Sequence, residues 1–164
     1  MKNLFFVLLC VTIFSCSQSN SGNTNNAAAP NKDSLVATLM AADKAWNDAS
    51  HQKGYFHSRI DFADENGIET ATNEMPLVGK SAITDYAATH SDSALKVQWI
   101  ATKGDVAASG DLGYTYGSYT DQMKTKAGKD TTVHGVYITV WKRQADGSWK
   151  YLADMGTDTP QEVK

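Results

Sequence analysis

The sequence predicts an α+β fold in which about three N-terminal helices pack against a strongly curved, cone-shaped antiparallel sheet. Before residue 93, apolar residues recur at the spacing of one helical face, and after residue 93 they alternate with polar residues as along a half-buried strand. Glycines inside the predicted strands, Gly113, Gly117 and Gly135, would let the sheet bend. A sheet that is bent in this way encloses a pocket.

Three helices are predicted between residues 33 and 90. Asp33 can cap the first helix, and Gly54 can end it. The apolar stripe of this helix consists of Leu35, Leu39, Ala42, Trp46 and Ala49. A short second helix is predicted over residues 55–62, and a third begins after Gly79. Residues 65–78 are predicted to form a loop or a weak strand.

The second half of the domain is predicted to be a series of sequential strands. The first begins at Leu95, and turns at Gly104-Asp105 and Gly110-Asp111 would enclose a short strand. A long strand follows over residues 112–123. The last hairpin, "GVYITVWKRQADGSWKYLADMG" (residues 135–156), carries aromatic residues that we interpret mainly as packing. Helices first and sequential strands afterwards favour one antiparallel sheet with helices on one side.

The N-terminal residues predict a bacterial lipoprotein. Residues 1–15 combine Lys2 with a short apolar run, which is typical of a signal peptide. The run Ile13 to Cys16 resembles a lipobox, which predicts cleavage before Cys16, acylation of its thiol and location in the cell envelope, at the outer membrane if Ser17 follows the enterobacterial sorting convention. We expect a flexible tether over residues 16–32, a domain over residues 33–158 and a tail over residues 159–164.

Composition excludes several classes of site. The two cysteines, Cys10 and Cys16, fall in the predicted signal and anchor, so the domain would have no thiolate site. Removal of residues 1–15 would leave 14 basic against 18 acidic residues, a net charge of −4 without a basic stripe, which argues against a nucleic-acid partner. No two of the four histidines have the i, i+4 spacing of a helical metal site. We therefore predict no metal and no cofactor.

Three strand residues are candidates for a pocket. Tyr114 and Tyr116 share a strand face and could either pack in the core or line the cone. His134 lies on the same strand face as Val136 and Ile138, where a lone imidazole is either a core histidine or a pocket residue.

Asp154 is a further candidate, and its face depends on the last turn. A two-residue turn at Asp146-Gly147 would pair Thr139 with Asp154, where the hydroxyl is a partner that needs no function. A three-residue loop over 145–147 would pair Ile138 with Asp154 on the apolar face, where burial would raise the pKa of the carboxyl. The small residue before Asp-Gly favours the three-residue loop, so Asp154 is the leading catalytic acid or base, with His134 as its partner.

Four segments carry a resemblance to a known superfamily. "FADENGIE", "PLVGKSAITDY", "GDLGYTYGSY" and the last hairpin, in this order, are similar to the SnoaL-like and ketosteroid-isomerase-like families of the nuclear-transport-factor-2-like superfamily. The resemblance covers roughly residues 35–158. It implies an α+β cone with an interior pocket and homodimers packed through the sheet. It implies no single activity, because this fold hosts both enzymes and binding modules.

The catalytic positions of the isomerase are not retained. The general base of that family corresponds to Thr70, which cannot accept a proton near neutral pH. Glu69 is adjacent, but neighbouring strand residues point to opposite faces. The first helix has no tyrosine to match the oxyanion donor; Trp46 is the nearest large residue and our remaining pocket candidate on this helix.

Three functions follow as hypotheses. The first is a lipid-anchored protein that binds a small apolar or amphipathic molecule, with the membrane contacted only through the anchor. The second is a dimeric interaction module without catalysis. The third is a SnoaL-like enzyme that uses Asp154 and His134 for proton transfer.

Overall fold

The computed structural model describes residues 31–70, 74–125 and 127–163. The predicted signal peptide, Cys16 and most of the predicted tether lie outside these residues. Among the described residues, none of the helices has both the length and the apolar character that crossing a bilayer requires.

In the described residues of the first half of the domain, three α-helices form, as predicted. They are α1 (Lys32–Lys53), α2 (Tyr55–Phe62) and α3 (Lys80–Thr89), followed by one 3₁₀ turn at Asp92–Ala94. The cap of α1 is Asn31 and not Asp33: its side-chain oxygen accepts a hydrogen bond from the backbone N–H of Asp33 at 2.9 Å. Asp33 lies inside the first turn, where a carboxylate favours the positive end of the helix dipole.

The six strands of the described residues form one sheet. They are β1 (Ala63–Thr70), β2 (Leu77–Val78), β3 (Leu95–Val106), β4 (Leu112–Lys124), β5 (Asp130–Arg143) and β6 (Trp149–Thr159), in the spatial order β2-β1-β6-β5-β4-β3. The predicted α+β fold with a curved sheet is confirmed. The sheet is not wholly antiparallel, however, because β1 pairs with β6 in parallel. The chain reaches β1 from the helical layer and adds it beside the last strand, in the same direction.

One predicted turn does not form. Gly104-Asp105 lies within β3, which continues to Val106 and bends through a bulge between Ala101 and Lys103. The chain then reverses once, where the N–H of Ala107 donates to the carbonyl of Leu112. A bulge bends and twists a strand without ending it, so the sheet curves here and does not break.

The core lies between the helices and the concave face of the sheet. Trp46 of α1 stacks on Tyr151 with ring centroids 4.8 Å apart and meets the edge of Trp99 at 5.2 Å. Trp141 and Trp149 are also buried, at 0% and 4% exposed, as predicted for packing aromatics. Each aromatic pair contributes about 0.5–1.5 kcal/mol beyond its buried area.

A buried carboxylate fixes α1 to the sheet. Asp43 is 1% exposed. It accepts hydrogen bonds from Trp99 Nε1 at 3.1 Å, Thr115 Oγ1 at 2.6 Å and Tyr137 Oη at 3.0 Å. Burial raises the pKa of Asp43, and the three donors oppose that shift. Three strands are thereby tied to one helical residue, which sets the distance between the two layers.

Candidate ligand-binding cavity

A cavity of about 480 Å³ lies between the helices and the concave face of the sheet. Its walls come from α1, α2, α3 and all six strands. The aromatic lining residues are Trp46, Tyr55, Phe56, Tyr86, Trp99, Tyr119 and Tyr137. Cavities of this size that combine aromatic walls with a few polar groups are the usual form of a small-molecule site.

Asp154 lines this cavity, but the strand pairing that places it there differs from the predicted pairing. The turn is the three-residue loop: the N–H of Gly147 donates to the carbonyl of Gln144, and Gly147 has a φ of 87°. The register then shifts between Val140 and Trp141, so Asp154 pairs with Thr139 and not with Ile138. Our interpretation of the faces was also wrong, because Thr139 is fully buried and Ile138 is 36% exposed.

The surroundings of Asp154 favour its neutral form. Burial raises its pKa to about 7, while the hydroxyl of Thr139, which donates to Oδ1 at 2.6 Å, opposes the shift. The neighbouring carboxylate of Glu69, opposite Asp154 in the parallel ladder, raises the pKa further. A carboxyl with this pKa can donate or accept a proton near neutral pH.

Glu69 is a site residue that the sequence reasoning missed. It is 5% exposed and faces inward, while Thr70 is exposed. Glu69 forms a buried ion pair with Arg59 Nη1 and accepts a hydrogen bond from the hydroxyl of Tyr151. Burial raises its pKa, and Arg59 and Tyr151 counteract this. The sequence did not show which residues of β1 are buried, because only the packed sheet shows whether its odd-numbered or its even-numbered residues face the core.

Arg59 is enclosed by aromatic rings. Its guanidinium carbon lies 5.0 Å from the ring centres of Tyr55 and Phe56 and 5.3 Å from that of Tyr86. The residue is 6% exposed, and the ion pair with Glu69 uses one of its nitrogen atoms. Cation–π contacts of this kind stabilise a desolvated guanidinium.

The outer end of the cavity carries a second acidic group of residues. Asp121 on β4 has a pKa raised to about 6, first by burial and then by the charge of Asp158. Tyr119 donates to Asp158 Oδ1 at 2.7 Å. Its ring crosses β5 at Gly135, where a Cβ atom would collide with the ring. Because Gly135 has no side chain, it leaves room for the Tyr119 ring in this wall of the cavity, in addition to any effect on sheet curvature.

The structure places the five predicted pocket residues on two faces. Trp46 and Asp154 line the cavity. Tyr114 and Tyr116 do not: they lie on the outer face of the sheet and are 39% and 37% exposed. His134 pairs with Thr120 and Thr159 on that same outer face, and the Thr120 hydroxyl lies 3.3 Å from its Nδ1. His134 and Asp154 are thus separated by the sheet, because residues of opposite parity in one strand face opposite sides.

Within the described part of the chain, no group of three or more histidine, cysteine, aspartate or glutamate side chains is arranged to hold a metal ion.

Solved structures share this fold. A ketosteroid isomerase-like protein from Erwinia carotovora atroseptica is 16% identical with a TM-score of 0.65, over 77% of this chain and 97% of that one. A nuclear transport factor 2 (NTF2-like) superfamily protein from Salmonella enterica is 10% identical with a TM-score of 0.62, over 79% and 94%. The association domain of CaMKII from C. elegans is 11% identical with a TM-score of 0.55, over 77% and 97%.

No family model and no curated protein matches the sequence. The structural likeness nevertheless shows that this chain has the NTF2-like, ketosteroid isomerase-like fold. At these identities the likeness concerns the fold alone, so function has to be argued from the residues of the cavity.

Proposed function

We propose that this protein is a lipid-anchored protein of the bacterial cell envelope that binds a small amphipathic molecule in the cavity. The observation that carries the proposal is the cavity itself, about 480 Å³ in volume, with seven aromatic residues in its lining. Polar groups stand at its floor and outer end, with Asp154 and Asp121 among them. Aromatic walls would hold an apolar body, while the polar groups would orient one end of it.

A neutral solvatochromic probe such as prodan tests ligand binding. We expect its fluorescence to shift to the blue when it binds the full chain. Val133→Phe, which narrows the cavity, should weaken binding several-fold, because Val133 lines it. Val136→Phe makes the same change on the opposite face of β5 and should leave binding unchanged. Equal affinities for the two variants would contradict the cavity as the site. Native mass spectrometry of the purified protein would reveal a molecule that is retained.

Proton transfer is a second candidate function, and the pKa of Asp154, raised to about 7 within the cavity, favours it. His134 is not its partner, because it faces the other side of the sheet. The test is deuterium exchange α to the carbonyl of small aryl ketones in D₂O, followed by NMR. Exchange that is accelerated by the wild-type protein and lost in Asp154→Asn would support catalysis, and identical rates for the two proteins would exclude it for these ketones.

We also propose that two copies associate through the outer face of the sheet. Tyr116, Ile138 and Met155 lie side by side across β4, β5 and β6, and each is more than a third exposed. Exposed contiguous apolar surface is typical of an interface, and one structural neighbour is an association domain. Light scattering should give a dimer, and Ile138→Lys a monomer, with Lys129→Glu in the β4–β5 turn as control. A monomeric wild-type protein at tens of micromolar would contradict this proposal.

The lipid anchor is proposed from the lipobox-like residues before Cys16. Cys16→Ser should abolish labelling by a radioactive fatty acid and leave the precursor unprocessed. Unchanged processing would contradict the anchor and with it the location at the envelope.

A further inference from the structure

The charges around the cavity are unequal. Among the described residues, its lining contains one cationic residue, Arg59. Its carboxylate residues are Glu69, Glu74, Asp121, Asp154 and Asp158. Arg59 is paired with Glu69. Among the described residues, none of the other four carboxylates forms an ion pair with a lysine or arginine, so the cavity has a surplus of negative charge.

Arg59 cannot balance this surplus. Its guanidinium already contacts Glu69 and is surrounded by the rings of Tyr55, Phe56 and Tyr86. At 6% exposed, it belongs to the wall and not to the free volume of the cavity. Its charge is therefore matched by that of Glu69, although its Nε and Nη2 form no hydrogen bond among the described residues.

The surplus charge extends along one side of the cavity. Asp154 and Asp158 are four residues apart on β6 and face the same side, which separates them by roughly 13 Å along the strand. Asp121 lies on β4, and its Oδ1 is buried without a hydrogen-bond partner among the described residues. Burial raises the pKa of both Asp121 and Asp154, as expected for carboxylates that lack a counter-charge.

The cavity lining also offers aromatic rings and an unused donor. The rings of Trp46, Trp99 and Tyr55 line the cavity. Trp46 is stacked on Tyr151, and Arg59 already lies over the Tyr55 ring, so these rings offer apolar contact to a ligand. Trp46 is 2% exposed, and its indole N–H has no hydrogen-bond partner among the described residues. Buried polar groups are ordinarily satisfied, so this donor indicates that a ligand with a hydrogen-bond acceptor completes the cavity, and the unpartnered Oδ1 of Asp121 calls for a donor on the same ligand.

We propose that the ligand is an amphipathic organic cation, with its apolar body against the aromatic rings and its ammonium group beside Asp121 and Asp154. This inference rests on the proposed ligand-binding function. A cation would supply the missing counter-charge, whereas an anion of the same shape would meet four carboxylates, and the nearest base, Arg59, already forms an ion pair with Glu69. The neutral form of the same molecule would keep the aromatic contacts and lose the charge pairing.

Three probes with one apolar body test the assignment: 4-phenylbutylammonium, 4-phenylbutanol and 4-phenylbutanoate. Their affinities for the full chain are measured by calorimetry at pH 8, above the raised pKa values of Asp121 and Asp154. The ammonium probe should bind about tenfold more tightly than the alcohol, and the butanoate more weakly than either. Asp121→Asn and Asp154→Asn should each weaken ammonium binding several-fold and leave alcohol binding unchanged, whereas Asp85→Asn, an exposed change on α3, should alter neither.

Each outcome decides a separate point. If the alcohol or the butanoate binds as tightly as the ammonium probe, the cationic ligand class is wrong and the ligand-binding function still stands. If prodan binds and none of the three probes does, the cationic ligand class is wrong, and if prodan does not bind either, the ligand-binding function is also wrong. Thermal melting of each Asn variant shows that it is folded, and if one variant unfolds, the other still tests the charge pairing.

Discussion

The inner and outer faces of the sheet both carry aromatic residues, yet they differ in how those residues are partnered. On the inner face, Trp141 is fully buried and its indole N–H donates to the Thr115 hydroxyl at 2.8 Å. On the outer face, Tyr116 is 37% exposed and lies beside Ile138. Many polar atoms on the inner face meet buried carboxylates and hydroxyls, whereas the outer face carries the exposed apolar row Tyr116, Ile138 and Met155. The first arrangement suits a cavity that holds a small molecule, and the second suits association with another surface.

The largest expected effect is on the free energy of unfolding, which substitutions on the inner and the outer face should change by different amounts. Trp141→Ala should lower the free energy of unfolding by about 3–5 kcal/mol, because it leaves a cavity in the core and removes a hydrogen bond. Ile100→Ala on the outer face, 66% exposed, should change it by less than about 0.5 kcal/mol. Urea unfolding followed by circular dichroism measures both. Similar losses for the two variants would break the distinction between a buried and an exposed face.

The next largest effect is the dependence of stability on pH that is caused by Asp154, a carboxyl on the inner face. The pKa of Asp154 is raised in the folded state, so the folded protein holds this proton more tightly than the unfolded chain. Its contribution to stability is therefore full below the ordinary pKa of an aspartate, near pH 4, and is lost as the pH rises toward and through 7. The loss between pH 5 and pH 8 should be on the order of 2 kcal/mol.

Asp154→Asn should remove this part of the pH dependence and make the variant more stable than wild type at pH 8. Unfolding is measured in urea at pH 5, 6.5 and 8, with Asp85→Asn as the matched control. A wild-type pH profile that Asp154→Asn leaves unchanged would show that the carboxyl titrates normally and is not held in a low-dielectric wall.

The smallest expected effect concerns the packing of the Tyr119 ring against Gly135. Gly135→Ala should lower the free energy of unfolding by about 1–2 kcal/mol, because the new methyl group would displace the ring that crosses β5. In a Tyr119→Ala background the same change should have little effect, and a double-mutant cycle measures the difference. Additive losses would mean that Gly135 serves only to bend the sheet.

Much of the fold follows from local patterns. Helical spacing, Gly54 and Gly79 predicted the three helices, and the change of period near residue 93 predicted the strands. These features depend on neighbouring residues, so a sequence read in order contains them. The parallel pairing of β1 with β6 was not predicted, because it joins residues more than 80 positions apart and no local pattern records it.

The candidate site was predicted only in part, because the sequence did not show which alternate residues of each strand face the helices. Trp46 and Asp154 were placed in a pocket, and the structure brings both to the cavity. Tyr114, Tyr116 and His134 were placed on the wrong face, and Glu69 was passed over. Apolar residues occupy both faces of this sheet, so alternation alone does not tell which face is covered by the helices.

The sequence by itself determined the order of helices and strands, the three-residue turn before β6, and the acidic, cysteine-poor character of the domain, because each of these depends on composition or on residues close together in the chain. Only the tertiary structure decided the chemistry of the cavity. A register shift between Val140 and Trp141 turned Asp154 inward beside Thr139, and the parallel ladder placed it opposite Glu69. A shift of one residue in strand register turns every side chain beyond it to the opposite face of the sheet. The register is set by the need to bury one face against the helices.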